Sequence, residues 1–310
     1  MTITVIGHLC IDRRQVSTAP ERFEERFGGI IYSLTTLANV MAEGDTIVPV
    51  FGVGHAEYDD LLKLLRRYPN IDISGVYPYD GPTNSVMLFY NNGGERRIEC
   101  SKHIAAPIPF ERIKPHLDAD GILINMVSGF DISLETLDAI RMSVRDRGTP
   151  IHFDFHSLTL GVDEKATRFR RPIIDWRRWC FFMNSIQMSE EEAKSLTAER
   201  YDEPTLANQL MPLMVNALVL TRGARGVTLI TQAKKKLTKT DIAGVPVQEI
   251  VDPTGCGDVF GAVFFHTFLK TGDYLASATF ANTIAALNAT VRGAEGIDTL
   301  RDRLTTVTPA

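Results

Sequence analysis

The chain is predicted to fold as an α/β protein on a mostly parallel sheet covered by helices on both faces. Three observations predict it. Short apolar and β-branched runs recur along the chain, and helix-period segments separate most of them. Parallel neighbours need such crossover connections, and helices on both faces bury both sides of the strands. One stretch, Ser85–Cys100, breaks the rhythm with two strand-like runs and no helix between them, which reads as an antiparallel addition to that sheet or a small lid.

Ile3-Thr4-Val5-Ile6 is a buried strand ending at Gly7. Gly28-Gly29 opens a helical segment, Ile30–Ala42, with Leu34, Leu37, Ala38 and Met41 on one face. Thr46–Gly52 is a second strand and Asp59–Tyr68 an amphipathic helix. Ser85–Tyr90 and Glu95–Cys100 flank Asn91-Asn92-Gly93-Gly94, a composition that supplies the positive φ angles of a tight hairpin turn. Further strands are expected at Gly121–Asn125, Ile151–Phe155, Cys180–Met183, Ala217–Leu220 and Val227–Ile230, with helices at Ser133–Arg147 and Ser189–Ala198. Helices Gly257–Lys270 and Tyr274–Val291 follow. With no internal repeat or long polar linker, residues 1–310 read as one domain with the lid inserted in it.

The 310 residues are 44% hydrophobic and 23% charged, a globular composition that can bury a core without disulfides or a structural metal. Thirty-eight acids against 33 bases leave a net charge of −5, which argues against nucleic acid or an anionic membrane as the main partner. Cys10, Cys100, Cys180 and Cys256 form no C-x-x-C pair and read as reduced thiols. The apolar run Ile3–Ile11 is too short to span a bilayer and lacks a basic flank before it. A cytoplasmic location is expected.

The chemistry is concentrated in Val251-Asp252-Pro253-Thr254-Gly255-Cys256-Gly257-Asp258-Val259-Phe260-Gly261. A strand-like Gln248–Val251 leads into it, Pro253 breaks the strand, and an apolar helix follows two glycines. Backbone N–H groups of Gly255, Cys256 and Gly257 at a helix N-terminus make an anion site, helped by the helix dipole. Asp258 falls in the first turn. The dipole alone would favour an acid there. A carboxylate beside an anion site is nevertheless electrostatically awkward unless a proton must be removed at that point, and phosphoryl transfer to a hydroxyl needs both parts. The segment is neither a Walker A loop nor a G-x-G-x-x-G fingerprint, because Gly261 stands four positions after Gly257.

Asp252-Pro253-Thr254-Gly255-Cys256-Gly257-Asp258-Val259-Phe260 resembles the second signature of the ribokinase/PfkB family of carbohydrate and nucleoside kinases. Other landmarks agree in order: Gly7-His8-Leu9-Cys10-Ile11-Asp12, the Gly28-Gly29 pair, Phe51-Gly52-Val53-Gly54, and Thr221-Arg222-Gly223-Ala224-Arg225-Gly226. The resemblance implies a ribokinase-like three-layer α/β/α core with the lid formed by about residues 11–27 and 80–102, and a homodimer through that lid. It implies an ATP- and Mg²⁺-dependent phosphotransferase acting on a hydroxyl of a small sugar, polyol or nucleoside. Asp258 becomes the general base and Gly255, Cys256 and Gly257 the anion hole. Asp12, Gly28, Gly29, Ser33 and His8 are assigned to the acceptor, and Thr221, Gly223, Gly226, Asn282 and Ser189 to ATP. Asp252 and Thr254 are assigned to a monovalent cation, K⁺.

The family pattern is altered in places. Its Asn-x-x-Glu motif is met either by Asn184-Ser185-Ile186-Gln187 or by Ser189-Glu190-Glu191-Glu192. The second keeps the acid, so Glu192 is the expected Mg²⁺ residue, partly through water, although Ser189 and Glu192 also fit a helix-capping box. Ser33 stands where the family often has Asn, with Tyr32 before it. Asp154-Phe155-His156-Ser157 keeps an Asp and lacks an Arg, which brings His156 forward beside His8 for an unusual acceptor. Two further readings stay open. One is an adenosine-like nucleoside kinase, with Tyr32 or Phe89 against the base. The other is a catalytically silent, ligand-binding relative with a regulatory role. Myo-inositol is a further acceptor to test.

Overall fold

A computed structural model describes residues 1–16, 19–90, 96–233 and 236–300. The strands among them are β1 (Thr2–Ile6), β2 (Leu9–Val16), β3 (Ala19–Gly29), β4 (Thr46–Gly54), β5 (Val76–Tyr79), β6 (Ser85–Tyr90), β7 (Arg96–Lys102), β8 (Gly121–Asn125), β9 (Ile151–Asp154), β10 (Leu160–Val162), β11 (Arg168–Arg170), β12 (Ser185–Ser189), β13 (Ala217–Thr221), β14 (Gly226–Ala233) and β15 (Lys236–Ala243). The α-helices are α1 (Ile30–Val40), α2 (His55–Leu65), α3 (Phe110–Ile113), α4 (Leu134–Val144), α5 (Trp176–Cys180), α6 (Glu190–Ser195), α7 (Glu203–Leu210), α8 (Cys256–Thr271) and α9 (Tyr274–Asn288).

Nine strands form the main sheet in the order β15-β14-β13-β12-β9-β8-β1-β4-β5. From β13 to β5 the neighbours run parallel, and β14 and β15 add an antiparallel edge. The fold class expected from the βα rhythm is therefore present. A separate four-stranded sheet has the order β3-β2-β6-β7. Its two outer pairs are antiparallel hairpins and its central pair, β2–β6, is parallel. The strands of this lid come from the two predicted segments, and the predicted turn at residues 91–94 lies outside the described residues.

The fully buried strands at the sheet centre explain their near-continuous apolar runs: Ile3, Val5 and Ile6 of β1 and Ile122 and Ile124 of β8 are all inaccessible. Helix α8 lies directly on β8 and β9. A Cβ on Gly121 would come 2.6 Å from Leu269 and 2.8 Å from Phe265, so glycine permits that close approach. His152 of β9 packs its ring on Phe264 and Phe265, with centroids 5.4 and 5.6 Å away. Helix α1, buried along nearly all of its length, packs beside α8. The N-terminal end of α8 is thereby fixed at the carboxyl ends of β8, β9 and β12, where open α/β sheets bind ligands.

Two expectations need correction. Cys180–Met183 is not a strand: Trp176, Trp179 and Cys180 are buried at helical spacing in α5, and the strand begins at Ser185. Gln248–Val251 is not a strand either. The Val251 and Asp252 N–H groups both donate to the Ala289 carbonyl past the end of α9, so this backbone has no ladder to join. The strand expected at Val227–Ile230 is present within β14, which pairs with β15 in a long hairpin. A short antiparallel hairpin, β10–β11, follows β9.

Candidate active site

A cavity of about 610 Å³ opens at the carboxyl ends of the parallel strands. Asp154 ends β9, Ser189 ends β12 and Thr221 ends β13, and all three line it. From the opposite side come Gly255, Cys256, Gly257 and Asp258, at the start of α8. The sequence-predicted anion segment and the strand ends therefore face one space.

Asp258 is 5% exposed. Asn125, the last residue of β8, donates from Nδ2 to Asp258 Oδ1 at 2.5 Å. Ser33 of α1 donates from Oγ to the Asp258 carbonyl at 3.4 Å. His156 Nε2 stands 3.7 Å from Asp258 Oδ1. Gly255 caps α8 in the left-handed region, φ +78°, and a Cβ there would fall 2.1 Å from the Tyr32 ring. At Gly257 a Cβ would meet no protein atom closer than 3.9 Å, so it would enter the cavity itself. That cradle suits an anion at the helix N-terminus. The Cys256 N–H is turned to the Pro253 carbonyl at 3.3 Å, so of the three expected donors this one has an internal acceptor. The Cys256 thiol accepts from Asn288 Nδ2 at 3.4 Å, and burial raises its pKa to about 11.

Behind Asp258 lies a buried polar layer. Gln187 Nε2 donates to Asp154 Oδ2 at 3.1 Å and to the Gly257 carbonyl at 2.9 Å. Burial pushes the Asp154 carboxyl well above the ordinary range, His156 opposes that shift, and Glu192 and Asp258 add to it. Glu192 is also raised by burial, against the Ser189 N–H, His156 and Arg170, which favour its ionised form.

At one end of the cavity Asp12 lies beside Cys10, whose Sγ contacts Asp12 Oδ1 at 3.1 Å. Gly28 lets the carboxylate lie on the neighbouring strand, since a Cβ there would fall 2.0 Å from Asp12 Oδ2. Gly29 (φ +62°) turns the chain from β3 into α1. Tyr32, Val86 and Val127 give this end an apolar wall.

The other end carries charge. Ser189 and Glu192 form the predicted capping box, with Ser189 N–H to Glu192 Oε2 at 2.7 Å and Glu192 N–H to Ser189 Oγ at 3.2 Å. Glu190, Glu191, Arg170, Arg222, Gly223 and Arg225 complete this end with Thr221. Arg225 pairs with Glu190, and Arg222 pairs with Glu203. No cluster of three or more metal-ligating side chains occurs among the described residues. Mg²⁺ does not require one, because it keeps several waters and takes one or two carboxylates plus phosphate oxygens. Glu192, lining the cavity with one oxygen given to Ser189, fits that role.

Several predicted residues lie elsewhere. His8 is buried away from the cavity: its N–H donates to Asp131 Oδ1 at 2.6 Å and its Nδ1 meets Ser128 Oγ at 2.9 Å, so it ties β1 to the loop after β8. Ser33 is 1% exposed and holds Asp258 from behind, with no surface toward an acceptor. Gly226 (φ +97°) starts β14 tight against the Ile242 carbonyl and serves the hairpin. Asn282 spends its amide on the Ala243 carbonyl at 2.8 Å, tying α9 to β15, and does not line the cavity. Asp252 faces Arg14 of the lid at 3.2 Å and accepts the Thr254 N–H at 3.1 Å. A guanidinium thus already supplies the positive charge, and Asp252 with Thr254 does not fit a K⁺ site. Phe89 and Cys100 have side chains outside the described residues.

Sequence reading missed Asn125, Gln187 as a strut, Arg14 and Arg170. Asn125 closes the strand run Gly121–Asn125, and a lone polar residue at the carboxyl end of a buried strand was the available signal.

Residues 183–300 match the family model described as pfkB family carbohydrate kinase. No curated protein sequence matches the chain. Among solved structures, a pyrophosphate-dependent kinase in the ribokinase family, bound to sulfate, superposes with a TM-score of 0.76 at 16% identity, covering 96% of this chain and 99% of the other. A Burkholderia thailandensis nucleoside kinase in complex with inosine gives 0.72 at 17% identity, over 100% of both chains. A putative ribokinase II from E. coli with ATP and Mg²⁺ gives 0.73 at 18% identity, over 97% and 99%. Residues 183–300 are thus similar to the pfkB family of carbohydrate kinases, and the fold of the chain is that of its ribokinase neighbours.

Proposed function

We propose that the protein is a kinase that transfers a phosphoryl group, from ATP in the leading reading, to a hydroxyl of a small sugar, polyol or nucleoside. The observation that carries it is the placement of Asp258 in the first turn of α8, beside the Gly257 cradle and inside the cavity that also holds Asp12. Asp12 orients the acceptor by accepting from its hydroxyls. Asp258 takes the proton of the attacking hydroxyl, the new O–P bond forms, and the bond to the donor's bridging oxygen breaks. N–H groups at the start of α8 receive the charge on the transferring phosphoryl oxygens. Glu192, partly through water, would hold Mg²⁺, which when bound would neutralise charge on the donor phosphates. Ser189, Thr221 and Gly223 line the donor end.

A second donor, inorganic pyrophosphate, is favoured by one observation. The donor end is lined by charged side chains and Thr221, while Asn282, which the family resemblance assigns to ATP, is committed to Ala243. The sulfate-bound structural relative is itself a pyrophosphate-dependent kinase.

An acceptor panel of pentoses, hexoses, inositols and nucleosides, run with ATP and with pyrophosphate in the presence of Mg²⁺, tests both readings. ADP or phosphate formation that depends on one acceptor is the expected result. Tight ligand binding without turnover on any pair would overturn the kinase reading in favour of a silent, regulatory relative. Glu192→Gln should raise the Mg²⁺ concentration needed for half-maximal rate, and an unchanged Mg²⁺ dependence would remove Glu192 from the metal.

A further inference from the structure

Of the non-glycine residues with positive φ, His156 (φ +38°) is the one that lines the active-site cavity among the described residues. A histidine held there is strained by about 1 kcal/mol or more, and such strain persists where the surroundings over-determine it. They do so here. The His156 N–H donates to Asp154 Oδ1 at 3.2 Å, and ring Nδ1 meets Ser157 Oγ at 2.9 Å. Asp154 is itself held by Gln187. Ser157 is buried, and its N–H is bonded to the Met126 carbonyl. The backbone twist carries the ring away from the strand end and toward α8.

The result is a defined gap. His156 Nε2 and Asp258 Oδ1 are 3.7 Å apart, too far for a direct hydrogen bond. One oxygen atom can stand about 2.8 Å from both and bond to each. Nε2 faces the Asp258 carboxylate, which favours the tautomer with the proton on Nε2, and Nδ1 then accepts from Ser157 Oγ. Around the ring stand Asp154 from β9, Asp258 from α8, Glu192 from α6 and Arg170 from β11.

We infer that His156 is a second catalytic side chain, whose Nε2–H grips the attacking oxygen of the acceptor while Asp258 takes its proton. The inference rests on the kinase reading above. The hydroxyl donates to Asp258 Oδ1 and accepts from His156, which leaves one lone pair to form the O–P bond as the donor's bridging O–P bond breaks. The proton ends on Asp258, the electron pair of the broken bond leaves with the donor, and His156 keeps its own proton throughout. Phosphoryl transfer through a loose transition state asks more for alignment of the nucleophile than for its basicity, and this contact supplies alignment.

Two measurements test it. His156→Asn keeps a residue type that tolerates positive φ but cannot reach the gap. On the acceptor found by the panel, kcat should fall on the order of 10²-fold with the donor KM and the Tm little changed. A wild-type kcat overturns the inference, and so does a loss of Tm that accounts for a lost rate. The second readout needs no turnover. In ¹³C-histidine-labelled full-length protein, the His156 ring signal, assigned from the variant, should shift its titration midpoint downward in Asp258→Asn, because a facing carboxylate favours the imidazolium. An unmoved midpoint overturns the pairing even if the kinase reading stands. A moved midpoint with no turnover on any donor and acceptor pair keeps the pairing but overturns both the kinase reading and the catalytic role.

Discussion

Asn125 Nδ2 donates to Asp258 Oδ1 at 2.5 Å, joining the carboxyl end of β8 to the first turn of α8 across 133 residues of sequence. The bond anchors the Asp258 carboxylate at Oδ1, the oxygen that also faces His156 Nε2. Replacing the amide by a second carboxylate makes the two groups share a proton. For Asn125→Asp we expect a kcat at neutral pH lower by roughly 10-fold or more. Recovery should come with rising pH, and the acid limb of the pH–rate profile should lie above that of the wild type.

Asp258→Asn removes the proton acceptor and leaves the helix N-terminus intact. The expected loss is about 10²–10⁴ in kcat, the usual worth of general-base help. Donor affinity, measured by calorimetry, should stay within a few-fold of wild type. A variant turning over at the native rate would remove Asp258 from the chemistry.

Gly255→Ala meets two penalties at once. The residue sits at φ +78°, and its new Cβ would overlap the Tyr32 ring at 2.1 Å. The left-handed backbone costs roughly 1–2 kcal/mol and overpacking about 1–3 more. Denaturant unfolding should show the sum. Combining it with Tyr32→Ala should recover the overlap share only, giving a non-additive double-mutant cycle.

Acid should destabilise the fold through two buried histidines. Burial lowers His152 to about 3 and His266 to about 4, whereas both take a proton near 6.5 in the unfolded chain. Their contribution is complete above 6.5 and is lost as pH falls toward those lowered values. His152→Gln should flatten the stability curve between about pH 6 and pH 4 by roughly 1.4 kcal/mol per pH unit. Equal slopes in the two proteins would contradict the burial account.

Arg14 on Asp252 bears on salt dependence. Exchanging KCl for NaCl or choline chloride at constant ionic strength should change the rate by less than about twofold, since the guanidinium already faces the carboxylate. Arg14→Ala should make the rate more sensitive to the cation. A strong K⁺ requirement in the unaltered protein would mean that Arg14 leaves Asp252 during turnover.

The site was legible to the extent that it is local. Gly255, Gly257 and Asp258 lie within one turn of helix, so their joint geometry follows from a loop entering a helix N-terminus. Ser189 and Glu192 were legible for the same reason, as a capping box spans only three residues. His8 stands two residues before the cavity-lining Cys10 and Ser33 one after Tyr32, but both turn to the core, His8 toward Asp131 and Ser33 toward the Asp258 backbone. Cys180–Met183 misled because a short apolar run is strand or helix depending on what it packs against, and here Trp176 and Trp179 bury a helical face.

The sequence by itself determined the alternation of strands and helices, the inserted lid strands and the glycine-flanked start of α8, because hydrophobic period and backbone freedom are properties of neighbouring residues. Only the tertiary structure decided who faces Asp258. Asn125 and His156 come from distant parts of the chain and meet it because β8 and β9 end together under α8, while Gln187 of β12 holds the Gly257 carbonyl and Arg14 of β2 reaches Asp252. Coulomb and hydrogen-bond energies depend on distances of a few ångströms, and those distances are set by packing and not by order along the chain.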